Sequence, residues 1–347
     1  MKLLGLFRIR RLLPALVTAA MLLLPACGRG RHRVLEVAYV SAPQAALRDQ
    51  VSAIFNRIGN VKNGERVEVL EREKRFARVR TAAGIEGWIE QRFLVDQKTF
   101  DTIQKLTADN LNDPVQAPGV LRNETNLHVT PGRDTEHLYQ LASGAKVAIL
   151  KRATAEKQAG AMPLNRHAAS EVAKSGAKVG PALEDWWLVR DDQNRVGWVL
   201  ARMVDVDAPL EIAQYAEGQR FVAFFALDEV PDNDKGVQKQ VPQYLCLLTD
   251  PRDGLPYDFD QVRVFTWNTR KHRYETAYRE HGLDGVLPAT LTKEDFGKEG
   301  ILPVFILRVK DDAGTVSERK YKFSAPIVRR MLAPGELPSK PSRKRRG

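Results

Sequence analysis

One stretch of the chain is present twice, and a repeat restricts architecture more than composition does. Trp186-Trp187-Leu188-Val189-Arg190, a polar Asp191-Asp192-Gln193-Asn194 turn and Val196-Gly197-Trp198-Val199 read as a β-hairpin, two apolar runs joined where backbone bending is cheap. The earlier copy is Phe76-Ala77-Arg78-Val79-Arg80, a turn through Ala83-Gly84, and Gly87-Trp88-Ile89. Gly64 to Leu70 matches Gly144 to Leu150 at an offset of 80, whereas Val79, Trp88 and Leu94 match Val189, Trp198 and Val204 at an offset of 110. The difference is one insertion of 30 residues, expected between Lys151 and Asp185 as a lengthened hairpin loop. Long loops are tolerated because closure entropy grows slowly with length.

Each copy holds short strands within about 60 residues, the scale of a compact barrel. A turn Gly, Val-x-Val/Ile-Leu, an aromatic, Val-Arg, Gly-Trp-Ile/Val and a closing apolar residue resemble the bacterial SH3-type domain of cell-envelope proteins. In the second unit Asn126 to Gly132 is similar to that family's opening strand, with Thr130 where an Arg is usual. In the first unit Leu47-Arg48-Asp49 is instead followed by Val51, Ile54, Phe55 and Ile58 at helical spacing. The resemblance covers Ala38 to Val206 at most. It implies two tandem SH3-like barrels that bind peptide, peptidoglycan or another envelope protein, with avidity from the pair. The implied groove draws on Trp186, Trp187 and Trp198 in the second unit and on Phe76 and Trp88 in the first. Such a small barrel also needs its Gly-Trp strand for the core, so Trp88 and Trp198 are expected mainly in packing. Alternation turns one of Trp186 and Trp187 inward and the other outward, which makes the outward ring the better ligand candidate.

Ahead of the repeat, Lys2 and Arg8 to Arg11 precede an apolar run, Leu12 to Leu24, too short for a comfortable membrane span. The run ends in Leu24-Pro25-Ala26-Cys27-Gly28, which resembles the lipobox of bacterial lipoproteins. That resemblance implies cleavage after residue 26, a lipidated Cys27 with diacylglycerol and a further acyl chain such as palmitate, and attachment to a membrane. Gly28 is not the Asp that resembles an inner-membrane retention signal, so the periplasmic side of the outer membrane is expected in a two-membrane cell.

The formal charge of +11 suggests nucleic acid until its carriers are located. Lys2, Arg8, Arg10, Arg11, Arg29, Arg31, Arg33, Lys340, Arg343, Lys344, Arg345 and Arg346 all lie at the two ends, and the stretch between is close to neutral. Nucleic-acid readers carry positive charge on a folded face, so no nucleic-acid partner is expected. The expected order is a leader (1–26), a lipidated tether (27–33), a first unit (34–97), a connector with a short helix on Phe100, Ile103 and Leu106 (98–118) and a second unit (119–207). A C-terminal β-rich domain (208–335) and a basic tail (336–347) follow.

Six strands are expected in the C-terminal domain, at Arg220–Leu227, Gln243–Thr249, Gln261–Asn268, Arg273–Arg279, Val304–Lys310 and Glu318–Phe323, and they read as a β-sandwich. The fold class is thus mainly β throughout. No catalytic residue, metal site or cofactor is expected. The six His residues are scattered, the acidic run from Asp228 to Asp234 lacks calcium-hand spacing, and Cys246 lies in an apolar run without a His partner. The alternative is an enzyme whose site, hydrolytic or metal-dependent, joins Asp228, Asp232, Asp250 and Asp258 in the C-terminal domain.

Overall fold

Runs rich in Val, Ile and Tyr, broken by turn residues, specify strands, and the described chain is mainly β. The computed structural model describes residues 33–157, 182–234 and 236–332. Cys27 with its leader, most of the insertion and the basic tail lie outside the described residues.

The first unit comprises β1 (Glu36–Val40), β2 (Gln44–Arg48), β3 (Arg57–Lys62), β4 (Arg66–Glu73), β5 (Phe76–Thr81), β6 (Glu86–Glu90) and β7 (Leu94–Asp96). The second comprises β8 (Ala117–Leu121), β9 (Thr125–His128), β10 (His137–Leu141), β11 (Lys146–Glu156), β12 (Leu183–Arg190), β13 (Val196–Leu200) and β14 (Val204–Val206). Strands run in the order β3-β2-β6-β5-β4-β1-β7 in one sheet and β10-β9-β13-β12-β11-β8-β14 in the other, the same order with seven added to each number. Register repeats as well: Val69 faces Val79, Ile149 faces Val189, and both ladders shift immediately afterwards, at Leu70 and Leu150.

The shared Gly-Trp motif has a steric origin. A Cβ on Gly87 would sit 2.9 Å from Leu47 Cβ and 2.9 Å from Ile58 Cδ1, and one on Gly197 would sit 2.6 Å from Leu127 Cβ and 3.1 Å from its Cα. Only glycine lets these strands cross so closely. Gly197→Ala is expected to cost about 1–3 kcal/mol, the usual range for overpacking. Urea unfolding checks this, and an unchanged midpoint would count against the packing.

The insertion is not a loop from end to end. In the first unit Glu73 and Phe76 close a tight turn, whereas in the second the ladder runs on until Glu156 faces Leu183. The added pairs hold because Asp185 and Glu184 within them are buried and engaged by Arg152 and Arg133.

The connector forms α1 (Gln97–Asn110), capped by the Asp96 carboxylate, which accepts from Thr99 N at 2.8 Å. Phe100 stacks on Tyr39 at 3.8 Å, Ile103 joins Tyr39 and Leu138, and Leu106 packs against Leu150, Leu188 and Val196. The expected apolar face therefore wedges between the two units.

Beyond a short helix, α2 (Leu210–Ala213), come β15 (Arg220–Asp234), β16 (Val237–Thr249), β17 (Phe259–Asn268), β18 (Arg273–Asp295), β19 (Ile301–Lys310), β20 (Val316–Ser324) and β21 (Ile327–Met331), hydrogen-bonded in sequential order. In place of a six-stranded sandwich there is one seven-stranded antiparallel sheet, and Asp228 to Asn233 belong to β15 instead of a loop. β18 runs far beyond Arg279 through Gly282, Gly285 and Pro288, which interrupt its sequence pattern. Gly285 is required there because a Cβ would overlap the Phe259 ring. β18 pairs with β17 as far as Gly285 and with β19 from Asp284 onward, so the sheet changes partners within one strand. Phe259 and Val264 on one side and Phe305, Leu307 and Tyr321 on the other share an apolar cluster, which continues into the second unit at Trp187, Val199 and Val204.

Candidate ligand groove

The site begins at the end of β2. The Asp49 carboxylate accepts from Asn56 N at 2.9 Å and from Asn56 Nδ2 at 2.8 Å, closing the loop 49–56. The helical spacing of Val51, Ile54 and Phe55 therefore belongs to a loop, and Gln44–Arg48 is a strand with Leu47 fully buried. Phe55 lies 4.1 Å from the Arg48 guanidinium, while Ile54 beside it is 84% exposed.

This loop faces the β4–β5 turn across a groove of about 570 Å³ lined by Arg48, Val51, Ser52, Ala53, Lys74, Arg75 and Phe76. Phe76 is its buried floor, with the guanidinium groups of Arg48 and Arg75 at 5.0 and 5.3 Å from the ring. Glu90 neutralises Arg48 at 3.2 Å. Lys74 and Arg75 have no carboxylate partner among the described residues. An aromatic floor under uncompensated cations suits a ligand with an anionic group and an apolar body.

The second unit carries different residues at the same positions. Ala53, Arg48, Lys74 and Phe76 correspond to Arg133, His128, Glu184 and Trp186. Arg133 grips Glu184 bidentately, with Nε to Oε2 at 2.8 Å, and this hydrogen bonding holds the Glu184 carboxyl below the usual carboxylate range. Trp186 lies edge-on to His128 at 5.3 Å beneath this latch. Among the described residues, the open groove of the first unit thus has no counterpart in the second.

The outward ring expected in the Trp186-Trp187 pair is also buried, each Trp being 2% exposed. Alternation holds, but both faces of β12 are covered. Leu188, on the Trp186 face, packs beside Leu106 of α1, and Trp187 joins the core shared with the C-terminal sheet. Trp88 and Trp198 are corrected in the other direction. Ile89 and Val199 fill the barrels, while both Trp rings are half-buried on the outer faces, Trp198 against the Leu106 cluster. Among the five aromatic candidates, Phe76 lines the open groove. Neither Lys74 nor Arg75 stands out in the sequence, because their role needs the facing loop.

Asp185, the counterpart of Arg75, builds a joint instead. Its carboxylate takes Arg152 Nη2 at 2.6 Å, Arg220 Nη2 at 2.7 Å and Gly254 N at 3.0 Å. Arg152 also reaches Asp258 at 3.1 Å and the Tyr257 carbonyl at 2.8 Å. Burial would lift the Asp185 carboxyl, but hydrogen bonds led by Arg152 outweigh it and hold the group below its ordinary range.

Three of the four carboxylates of the enzyme alternative have separate partners, and Asp228 is exposed. Asp258 binds Arg152 and accepts from Leu287 N at 2.7 Å, Asp232 meets His272 Nδ1 at 3.0 Å, and Asp250 lies near Gln219 at 3.4 Å. Among the described residues no three His, Cys, Asp or Glu side chains converge as a metal position. Cys246 is fully buried, which pushes its thiol pKa up.

Residues 43–95, which contain β2 to β7 and the groove, match the family model of the bacterial SH3 domain. Domains of this family are generally cell-wall or peptidoglycan binding modules. No curated protein matches the chain. Among solved structures, an NlpC/P60 family protein from Bacillus cereus ATCC 10987 is similar at 10% identity and a TM-score of 0.22, over 56% of this chain and 65% of that one. NlpC2 from Trichomonas vaginalis is similar at 13% identity and a TM-score of 0.16, over 82% of this chain and 96% of that one. NlpC1 from the same organism gives 8% identity and a TM-score of 0.16, over 70% and 87%. Alignments at these scores assign no activity to this chain.

Proposed function

We propose that the chain is a non-catalytic binding protein of the bacterial envelope, attached to a membrane through acylated Cys27, which holds an anionic wall component in the groove of its first unit. The observation that carries this reading is the pair Lys74 and Arg75, without carboxylate partners among the described residues, above the Phe76 floor inside the segment matched to the bacterial SH3 domain. Carboxylate-bearing wall peptides fit that chemistry, with the cations drawing the charge and the ring meeting the apolar portion. The lipobox-like Leu24 to Gly28 supports the anchor, since two or three acyl chains at about 0.8 kcal/mol per buried methylene hold a protein for practical purposes permanently. Gly28 after the Cys favours the periplasmic face of the outer membrane in a two-membrane cell.

Co-sedimentation with isolated peptidoglycan tests the ligand. Combining Lys74→Glu with Arg75→Glu is expected to weaken retention about tenfold, about 1.4 kcal/mol, and raised salt is expected to act in the same direction. Equal retention of the parent and the double variant would remove the groove from the reading. No retention of the parent would remove the wall ligand.

A further inference from the structure

The C-terminal sheet leaves two strand edges facing one another, and a single residue of the connector spans them. The Gln116 carbonyl accepts from Phe224 N on β15 at 3.0 Å. Its side chain completes a second pairing on β18, with Oε1 accepting from Ala289 N at 2.8 Å and Nε2 donating to Ala289 O at 3.2 Å. Gln116 is fully buried. An extended segment already adds to β15 at this point, and it does so between two edges.

Past Gln116 the opening continues as a groove of about 470 Å³, walled by Ala226 to Glu229 of β15 and Leu291 to Lys293 of β18. β17 leaves β18 at Gly285, so this part of β18 is paired only on its β19 side. Backbone groups along a strand turn to the same side every second residue. Phe224 and Ala289 turn theirs to the opening, and so do Ala226 on one wall and Leu291 and Lys293 on the other. None of the three has a backbone partner there among the described residues. Leu227 is buried at the floor and Leu291 half-buried, while Asp228 and Glu229 are exposed on the β15 rim without an ion pair among the described residues, opposed by the single cation Lys293 on the β18 rim.

We propose that this groove is a strand-addition site for an extended basic segment of a second protein. The segment prolongs the line begun by Gln116. It hydrogen-bonds to β15 at Ala226, sets an apolar side chain on Leu227 and Leu291, and turns lysine or arginine to Asp228 and Glu229. Main-chain pairing supplies affinity and the alternating side chains supply selection, the general mode of β-augmentation. An unpaired edge otherwise invites aggregation, and the acidic rim restricts who can pair.

The probe is a fluorescein-labelled octapeptide of alternating lysine and valine, titrated into the mature chain by fluorescence anisotropy, with alternating glutamate and valine as control. The lysine peptide is expected to bind at least tenfold more tightly than its acidic control, and to slow amide exchange at Ala226 to Glu229. Ala226→Pro removes the outward N–H from an edge position, where proline is tolerated, and is expected to weaken binding at least tenfold. Asp228→Lys with Glu229→Lys leaves the backbone intact and is expected to reverse the preference between the two peptides, which keeps the test decisive if the proline variant misfolds. No binding of the lysine peptide up to millimolar concentration, or equal binding to the parent and the charge-reversed chain, overturns the proposal. Binding that appears only after residues 333–347 are removed also overturns it, because the occupant is then the chain's own basic end.

Discussion

Arg152→Ala is expected to lower stability by about 3–5 kcal/mol, the cost of removing one partner from a buried ion-pair network, since Asp258 loses its guanidinium and Asp185 keeps only Arg220 and Gly254 N. Arg152 is 3% exposed and Asp185 fully buried, and the lost guanidinium also leaves the carbonyls of Leu255 and Tyr257 without their donor. The result to look for in urea unfolding is an early transition in which the C-terminal sheet parts from the second unit. The control is Arg72→Ala. Arg72 occupies the same register position in the first unit, yet its pairing with Glu36 is solvent-exposed on both sides, so a loss below about 1 kcal/mol is expected. Similar losses for the two variants would show that the joint contributes no more than a surface ion pair.

Trp187→Ala is expected to cost about 3–5 kcal/mol, the range for emptying a large aromatic site in a core. The corresponding residue in the first unit is Ala77, itself fully buried, so the barrel does not need an indole to close. What Trp187 adds is volume directed at the third sheet, since it lines a cleft with Arg220, Phe221 and Pro251 and belongs to the cluster containing Phe259 and Phe305. Trp187→Ala and Arg152→Ala act at one joint, their backbones facing each other across β11 and β12, so their effects are expected to be non-additive. Additive losses in the double variant would place them in independent units.

How much of this was legible in the sequence follows from where each cause lies. The duplicated barrel was readable because its constraints are local: Gly87 and Gly197 are dictated by the strand crossing beneath them, and Gly64 and Gly144 each take a positive φ of 78° at the same turn. The α1 face was readable because Phe100, Ile103 and Leu106 keep helical spacing. The burial of Trp186 and Trp187 was not, since alternation assigns faces of a strand but says nothing of what covers them. The extension of β18 past Arg279 was hidden because Gly282, Gly285 and Pro288 look like turn residues, and only the Phe259 ring explains one of them. The difference between the two grooves rests on the pairs Ala53–Lys74 and Arg133–Glu184. All four residues are visible in the sequence, but each pair is set across a groove only when two loops face one another.

Under the proposed wall ligand, the Arg133–Glu184 latch changes what attachment to a repeating lattice would mean for such a molecule. With a single hold per chain, release is one event, with no second grip to keep the ligand near while the first reopens. If the chain is anchored as proposed, persistence scales with how many copies crowd a given area of bilayer, and the quantity a cell would regulate is packing of the protein on its membrane.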